Sequence, residues 1–301
     1  HSHTPKAGII GMLGAKLAGV PVRLHTVAGL PLMETQGKTR QVLEAVEKLT
    51  YACATKVYPN SIVLKDFILK SHFCGPEKVK VIGNGSSNGI NTAYFHKERL
   101  DAAKLEGLKA ALGIKPDDFV FVFIGRLVKD KGIQELVAAF KKLQTLHSQV
   151  KLLLVGPFEQ DLDPIDGSIL REIESNPAIL SVGFQQDVRP YLAISQALAF
   201  PSYREGFPNV PMQAGCFNLP SIVTDINGCN EIIQHGENGL IVPPKSIEEL
   251  YAAMQTFISD KESFDYMKSQ ARRMIVERYE QTYFWELLLK EYQTHLKQDG
   301  A

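Results

Sequence analysis

The chain has 301 residues, which at roughly 150 residues per domain sets an expectation of two domains. It is 45% hydrophobic and 22% charged, with 23 Gly, 16 Pro and no biased tract, which excludes a disordered chain. Lys plus Arg and Asp plus Glu both number 33, so the net charge is zero. A dedicated nucleic-acid binder, which needs a basic excess to displace phosphate counterions, is thereby disfavoured.

Taken in chain order, short β-rich runs alternate with amphipathic stretches, the pattern of parallel α/β layers. The chain opens at His1-Ser2-His3 with no initiator Met, which reads as a fragment. Ala7 to Ala18 predicts a helix in which Gly8, Gly11 and Gly14 allow close packing; without G-x-G-x-x-G after a strand it is no dinucleotide fingerprint. The nearly uncharged stretch Ala7 to Val22 is broken by Lys16 and Pro21, too short and Gly-rich to span a bilayer, and no signal-peptide pattern is present. Val22 to His25 predicts a strand, Arg40 to Ala54 a helix and Lys56 to Tyr58 a strand. Ser61 to Lys70 predicts a helix capped by Ser61, and Val79 to Ile82 a strand. The loop Gly83 to Gly89 tolerates left-handed backbone and suits a domain junction.

A second series starts near Asp101. Helices are predicted over Asp101 to Leu112, Ile133 to Leu146, Ser168 to Glu174, Val188 to Ser195 and Ile247 to Ile258. Strands are predicted over Phe119 to Ile124, Lys151 to Val155, Ile179 to Val182, Ala197 to Phe200, Ser221 to Val223 and Gly239 to Val242. Two long helices, Phe264 to Arg278 and Thr282 to Leu296, close the chain, and the aromatics Tyr279, Tyr283, Phe284 and Trp285 there predict core. Cys53, Cys74, Cys216 and Cys229 form no C-x-x-C pair, which argues against a disulfide framework or a zinc site and for a reducing cytoplasm. Asp161-Leu162-Asp163 is the nearest approach to a metal-binding cluster and reads as an acidic turn.

Two segments carry chemistry. After the strongest buried-strand signal come Gly125-Arg126-Leu127 and then Lys131-Gly132, at the mouth of the helix beginning near Ile133. A guanidinium fork, a mobile ammonium and a helix dipole are what a diphosphate needs. The second segment runs from Pro201 to Gln213, from a strand end into a helix whose start is set by Pro208 or Pro211. Amides at Gly206 and Phe207 there suit polar or anionic groups, and Glu205 stands at a strand's carboxyl end, where open α/β sheets bind ligands.

In order, content and separation these segments resemble the family 4 retaining glycosyltransferases of bacterial surface-polysaccharide type. The family's G-R-L…K-G loop matches Gly125-Arg126-Leu127 with Lys131-Gly132, and its P-S…E-G-F…E segment matches Pro201-Ser202 with Glu205-Gly206-Phe207. Gly83-Asn84-Gly85 with Phe95, Gly183-Phe184 with Asp187-Val188, Leu219 to Val223, and Glu231-Ile232-Ile233 with Gly236, Asn238 and Gly239 match as well, so the resemblance spans nearly the whole chain.

The resemblance implies an α/β GT-B fold: two Rossmann-like domains facing across a cleft, the first incomplete. Residues 1–95, completed by helix 282–298, would form the acceptor side, and residues 96–281 the donor-binding domain. It implies transfer of a hexosyl group from a nucleoside diphosphate sugar, UDP being the family's usual carrier, to a glycan or polyprenyl-diphosphate-linked acceptor. No cofactor, metal or nucleic acid is implied. The place would be the cytoplasm, with peripheral contact at the inner face of the plasma membrane. Arg126 and Lys131 would hold the donor diphosphate, and Glu205 would accept from hydroxyls of the transferred sugar. Gly125, Phe184, Gly206, Phe207, Pro208 and Asn209 would line the donor. Where the family has a second carboxylate gripping the ribose, this chain has Gln213, which accepts from one hydroxyl and donates to the other without charge. His25, ending a strand, matches a histidine that faces the donor sugar, although a lone histidine is ordinarily packed or at the surface; His3 is a weaker acceptor-side candidate. A covalent role for Glu205 stays open. Gln213 and the missing start also keep a non-catalytic nucleotide-sugar binder as an alternative, with a GT-B sugar-nucleotide epimerase behind it.

Overall fold

A computed structural model describes residues 1–33, 35–159, 161 and 163–299 of the chain, which divides into two compact units: residues 1–90 with residues 278–301, and residues 91–277. The first unit opens with helix α1 (Pro5–Leu17), whose first turn is set by Pro5 and by Thr4, its Oγ1 accepting from the Ala7 amide at 3.4 Å. Strand β1 (Leu24–Val27), helix α2 (Gly37–Cys53), strand β2 (Lys56–Pro59) and helix α3 (Ile62–Lys70) follow. Ser61 caps α3 as its sequence predicts, accepting from the Leu64 amide at 3.0 Å. β1 and β2 pair in parallel, and single bridges add Ser2 beside His25 and Val79 beside Val57.

The strand predicted over Val79 to Ile82 thus reduces to one bridge. The Ile82 carbonyl accepts from Gly85 at 3.1 Å, which starts the Gly83 to Gly89 turn before a second ladder bond forms. The core of this unit gathers Tyr51, Val57, Leu64 and Ile68, all fully buried.

In the second unit the elements are α4 (Ala102–Ala111), β3 (Phe119–Ile124), α5 (Ile133–Gln144), β4 (Val150–Val155), α6 (Gly167–Ser175), β5 (Ile179–Ser181), α7 (Arg189–Ala193), β6 (Ala197–Phe200), α8 (Asn209–Cys216), β7 (Ser221–Thr224), α9 (Cys229–Ile232), β8 (Gly239–Val242), α10 (Ile247–Ser259) and α11 (Lys261–Tyr279). Six parallel strands lie in the order β5-β4-β3-β6-β7-β8. Continuous apolar runs such as Phe119 to Ile124 suit strands buried on both faces. The chain steps outward from β3 through β4 to β5, then returns to place β6 on the other flank of β3 and continues outward through β7 and β8. The β3/β6 junction is therefore the topological switch point, beside which open α/β sheets bind their ligands in a crevice at the strands' carboxyl ends.

The division falls at residue 91, before the expected boundary after Phe95, because residues 92–95 are tied into the second unit. Arg272 on α11 donates to the carbonyls of Thr92 at 2.9 Å, Phe95 at 3.0 Å and Cys216. The Arg189 guanidinium stacks 3.8 Å over the Tyr94 ring. At the other end, α11 hands over to α12 (Gln281–Asp299) within the first unit, where Ile90 and Gln281 are tied by the Ile90 amide to Tyr279 and the Gln281 amide to Ile90. Of the terminal aromatics predicted as core, Tyr279 and Phe284 are buried. Tyr283 and Trp285 are half exposed, and the Trp285 indole N–H donates to Asn88 at 2.8 Å.

Zero net charge conceals a division. Residues 1–90 and 278–301 hold 14 Lys and Arg against 9 Asp and Glu, whereas residues 91–277 hold 19 against 24. One unit carries +5 and the other −5.

Candidate functional site

Two loops, leaving β3 and β6 on either side of the switch point, are brought together in the second unit. Gly132, at φ +71°, begins α5; a Cβ there would lie 2.1 Å from the Pro201 carbonyl oxygen, so only glycine lets the loops touch. The Tyr203 amide donates to the Asp130 carbonyl at 2.8 Å, the Arg204 guanidinium reaches Asp130 Oδ2 at 2.9 Å, and the Tyr203 hydroxyl donates to Glu135 at 2.6 Å. At the centre Lys131 Nζ lies 2.6 Å from Glu205 Oε1, with the two side chains only 15% and 17% exposed, and 3.5 Å from Ser202 Oγ. The pair fastens the two loops to each other, because removing either member of a nearly buried ion pair strands the other at a cost of about 3–5 kcal/mol.

The site is braced from two further directions. Asp163 Oδ2 accepts from the Asp130 amide at 2.6 Å, so the acidic turn serves as a prop for the Lys131 loop; Leu162, between the two aspartates, lies outside the described residues. Among the described residues no group of three or more His, Cys, Asp or Glu is placed to hold a metal ion. On the β7 side, the Thr224 hydroxyl donates to the Ser202 carbonyl, and Asn227 Nδ2 donates to the carbonyls of Glu205, at 3.2 Å, and Gly206. Cys229 sits fully buried beside Glu205 and Lys131, and burial pushes its thiol well above the ordinary range, as for an inert packed cysteine.

The residues predicted from the sequence do not all converge. Gly125, at φ +155°, turns the chain out of β3. Arg126 does not join Lys131 on a common partner; its guanidinium pairs with Glu159 at 2.9 Å, nearly half exposed, and that hydrogen bond raises its pKa further. Pro208 precedes α8, Asn209 opens it and Gln213 lies half-buried one turn on. Phe184 is 73% exposed and follows β5, the edge strand two places from β3.

His25 belongs to the first unit, where it is 1% exposed, with Nδ1 bonded to Ser2 Oγ at 2.8 Å and its ring between Gly8 and Tyr51. Burial, with the His3 charge in second place, lowers its pKa to about 4, so the ring is neutral at pH 7. The structure shows a core-packed imidazole where the sequence reading expects an open one: β1 runs on to Val27, so His25 is its second residue and not its end, and Gly8 leaves room for the ring in the core. His3 is exposed, in a pocket it shares with Thr26, Tyr58, Ser86 and Ser87.

Missed from the sequence were Asp130, Glu135, Glu159, Thr224 and Asn227. For Asn227-Gly228 a signal existed, the Asn-Gly turn pair after a strand. The acidic residues contact positions up to 74 residues away and give no local cue.

Among similar proteins, the capsular polysaccharide biosynthesis glycosyltransferase CapM of Staphylococcus aureus is 34% identical over 99% of this chain and 77% of its own length. The UDP-Gal:alpha-D-GlcNAc-diphosphoundecaprenol alpha-1,3-galactosyltransferase of Escherichia coli is 27% identical over 92% of this chain and 70% of its own length. The crystal structure of Anabaena HepE in complex with UDP superposes with a TM-score of 0.84 at 21% identity, covering 97% of this chain and 77% of that one. Residues 106–274, more than half of the chain, match the family of glycosyl transferases group 1. With a Rossmann-like sheet whose switch point carries a lysine–glutamate pair, and with relatives of this kind along nearly its full length, the chain belongs to the glycosyl transferases group 1 and has the GT-B fold.

Proposed function

We propose that this chain is a retaining, metal-independent family 4 glycosyltransferase that moves a hexosyl group from a UDP-sugar to a hydroxyl of a glycan or polyprenyl-diphosphate-linked glycan in surface-polysaccharide synthesis. The observation that carries the reading is the Lys131–Glu205 pair across the switch-point crevice. Lys131 brings positive charge to the mouth of α5, where a donor diphosphate meets both an ammonium and a helix N-terminus. As the glycosidic bond breaks, negative charge grows on the departing UDP, and Lys131 with Arg126 stabilises it in place of a cation from solution. Glu205, held by the same lysine, turns its remaining acceptor capacity toward sugar hydroxyls. Gln213 accepts from one ribose hydroxyl and donates to the other.

UDP is supported by the name of the Escherichia coli relative and by the Anabaena complex, and a polyprenyl-linked acceptor by the former. The +5 charge of the first unit suits an anionic membrane surface at the cytoplasmic face, where such an acceptor is displayed. Among the described residues no helix is long and apolar enough to cross a membrane.

The test is UDP release from a panel of UDP-sugars, with and without EDTA, and the anomeric configuration of the product by NMR. Wild-type protein is expected to release UDP at a rate EDTA does not change and to keep the donor's anomeric configuration. Lys131→Ala is expected to lose about a hundredfold in kcat/KM. Wild-type kinetics in that variant would remove Lys131 from the donor site, and an inverted product would end the retaining assignment.

A further inference from the structure

We infer that Asn227 is a positioning residue that aims the Gly206 amide into the switch-point crevice, so that the turn after β7 sets the geometry of the donor site without touching the donor. The inference rests on the donor reading given above and adds to it a residue outside both site loops.

In a trans peptide the carbonyl and the following N–H are coplanar and point in opposite directions, so holding one aims the other. Asn227 Nδ2 donates to the Glu205 carbonyl at 3.2 Å, and the amide opposite that carbonyl is the N–H of Gly206. No group among the described residues accepts from this N–H. The second Nδ2 bond, to the Gly206 carbonyl, fixes the next peptide plane, so one side-chain amide holds the two planes flanking Gly206. An amide group carries two donor hydrogens, which matches two carbonyls; an aspartate carries none when ionised and would set like partial charges face to face.

The neighbouring residue makes this approach feasible. Gly228, at φ +75°, lies so near the loop that a Cβ would come 2.5 Å from the Gly206 carbonyl oxygen and 2.9 Å from the Phe207 Cα. Thr224 holds the Ser202 carbonyl from the same turn, and Asp130 and Glu135 hold Tyr203 and Arg204 from the opposite side. The strap therefore runs along the backbone of residues 202–206 and leaves Glu205 bonded to Lys131, with its position set at both ends. Asn230, three residues on, bonds instead to Asp225 at 2.8 Å and makes no hydrogen bond to residues 202–206 among the described residues, which makes it the natural control.

The experiment uses the full chain as wild type, Asn227→Ala, Asn227→Asp and Asn230→Ala. Hydrogen exchange of the peptide covering residues 203–208, whose Tyr203 amide is bonded to the Asp130 carbonyl, reads how firmly the clamp holds the loop, and calorimetry with UDP and UDP-glucose reads its consequence. Exchange in both Asn227 variants is expected to quicken about tenfold or more, and affinity for the nucleotide probes to fall about tenfold, while Asn230→Ala keeps wild-type values. Asn227→Asp carries a further signature: its protection, taken relative to the intrinsic exchange rate at each pH, rises as the pH falls and the new carboxyl gains a proton it can donate, a trend absent from Asn227→Ala. Wild-type exchange and affinity in both Asn227 variants would overturn the inference. So would equal losses in Asn230→Ala, which would mark a general loosening of the turn. Faster exchange in the Asn227 variants, with no binding of either nucleotide by wild type, would uphold the clamp and overturn the donor reading.

Discussion

His25 shows what burial does to a titratable side chain whose sequence position suggests catalysis. Its pKa near 4 lies below the ordinary 6.5, so the unfolded chain takes up a proton that the folded one refuses. The sign follows from proton linkage. Above pH 6.5 both states are neutral and the contribution is fully present; it is lost as the pH falls toward 4, by about 3 kcal/mol at most. Glu47, packed against Tyr51 in the same core, acts in the opposite sense: burial raises its pKa, so its stabilising contribution is present at low pH and fades as the pH rises through the raised value. We expect urea unfolding to show a lower midpoint at pH 4.5 than at pH 7, and His25→Asn to flatten that difference. An unchanged slope in the variant would place the proton uptake on another group. Lys131, Glu205 and Gly206 were legible as a candidate site because charge and glycine at strand ends are local signals, and the fold brings Lys131 and Glu205 together. The packing of His25 was not legible, since the space for its ring is supplied by Gly8, 17 residues earlier.

Gly8, Gly11 and Gly14 look equivalent in the sequence of α1, yet the helix uses them differently. A Cβ on Gly8 would stand 2.5 Å from His25 Cε1, whereas one on Gly14 meets nothing within 4 Å. We therefore expect Gly14→Ala to raise stability by about 0.5–1 kcal/mol through helix propensity alone. Gly8→Ala should lower it by about 1–3 kcal/mol through overpacking. Thermal unfolding of the two variants checks this, and equal shifts would show that the ring yields. The elements themselves were largely readable: the apolar run of β3 and the Ser61 cap of α3 are local patterns that the fold keeps. Val79 to Ile82 failed because a strand needs partners for successive residues, and the turn at Gly85 takes the Ile82 carbonyl first.

Across the whole molecule, the boundary between units was the hardest feature to read, because it is set by Arg272, some 180 residues from the segment it holds. A fragment of residues 91–277 keeps both carbonyls of that segment. One of residues 96–277 loses them and leaves Arg272 with the Cys216 carbonyl. Loss of two hydrogen bonds to a charged group should lower the midpoint of the shorter fragment by several degrees, and matching melting curves for the two would contradict the assignment. The division of charge, invisible in a composition that sums to zero, has a consequence for the protein as a colloid. At the pH where it does not migrate in a field, each molecule still presents a cationic unit and an anionic one, and these complement the opposite units of other copies. Dilute buffer should therefore draw copies together, and modest salt should disperse them, the reverse of ordinary salting-out.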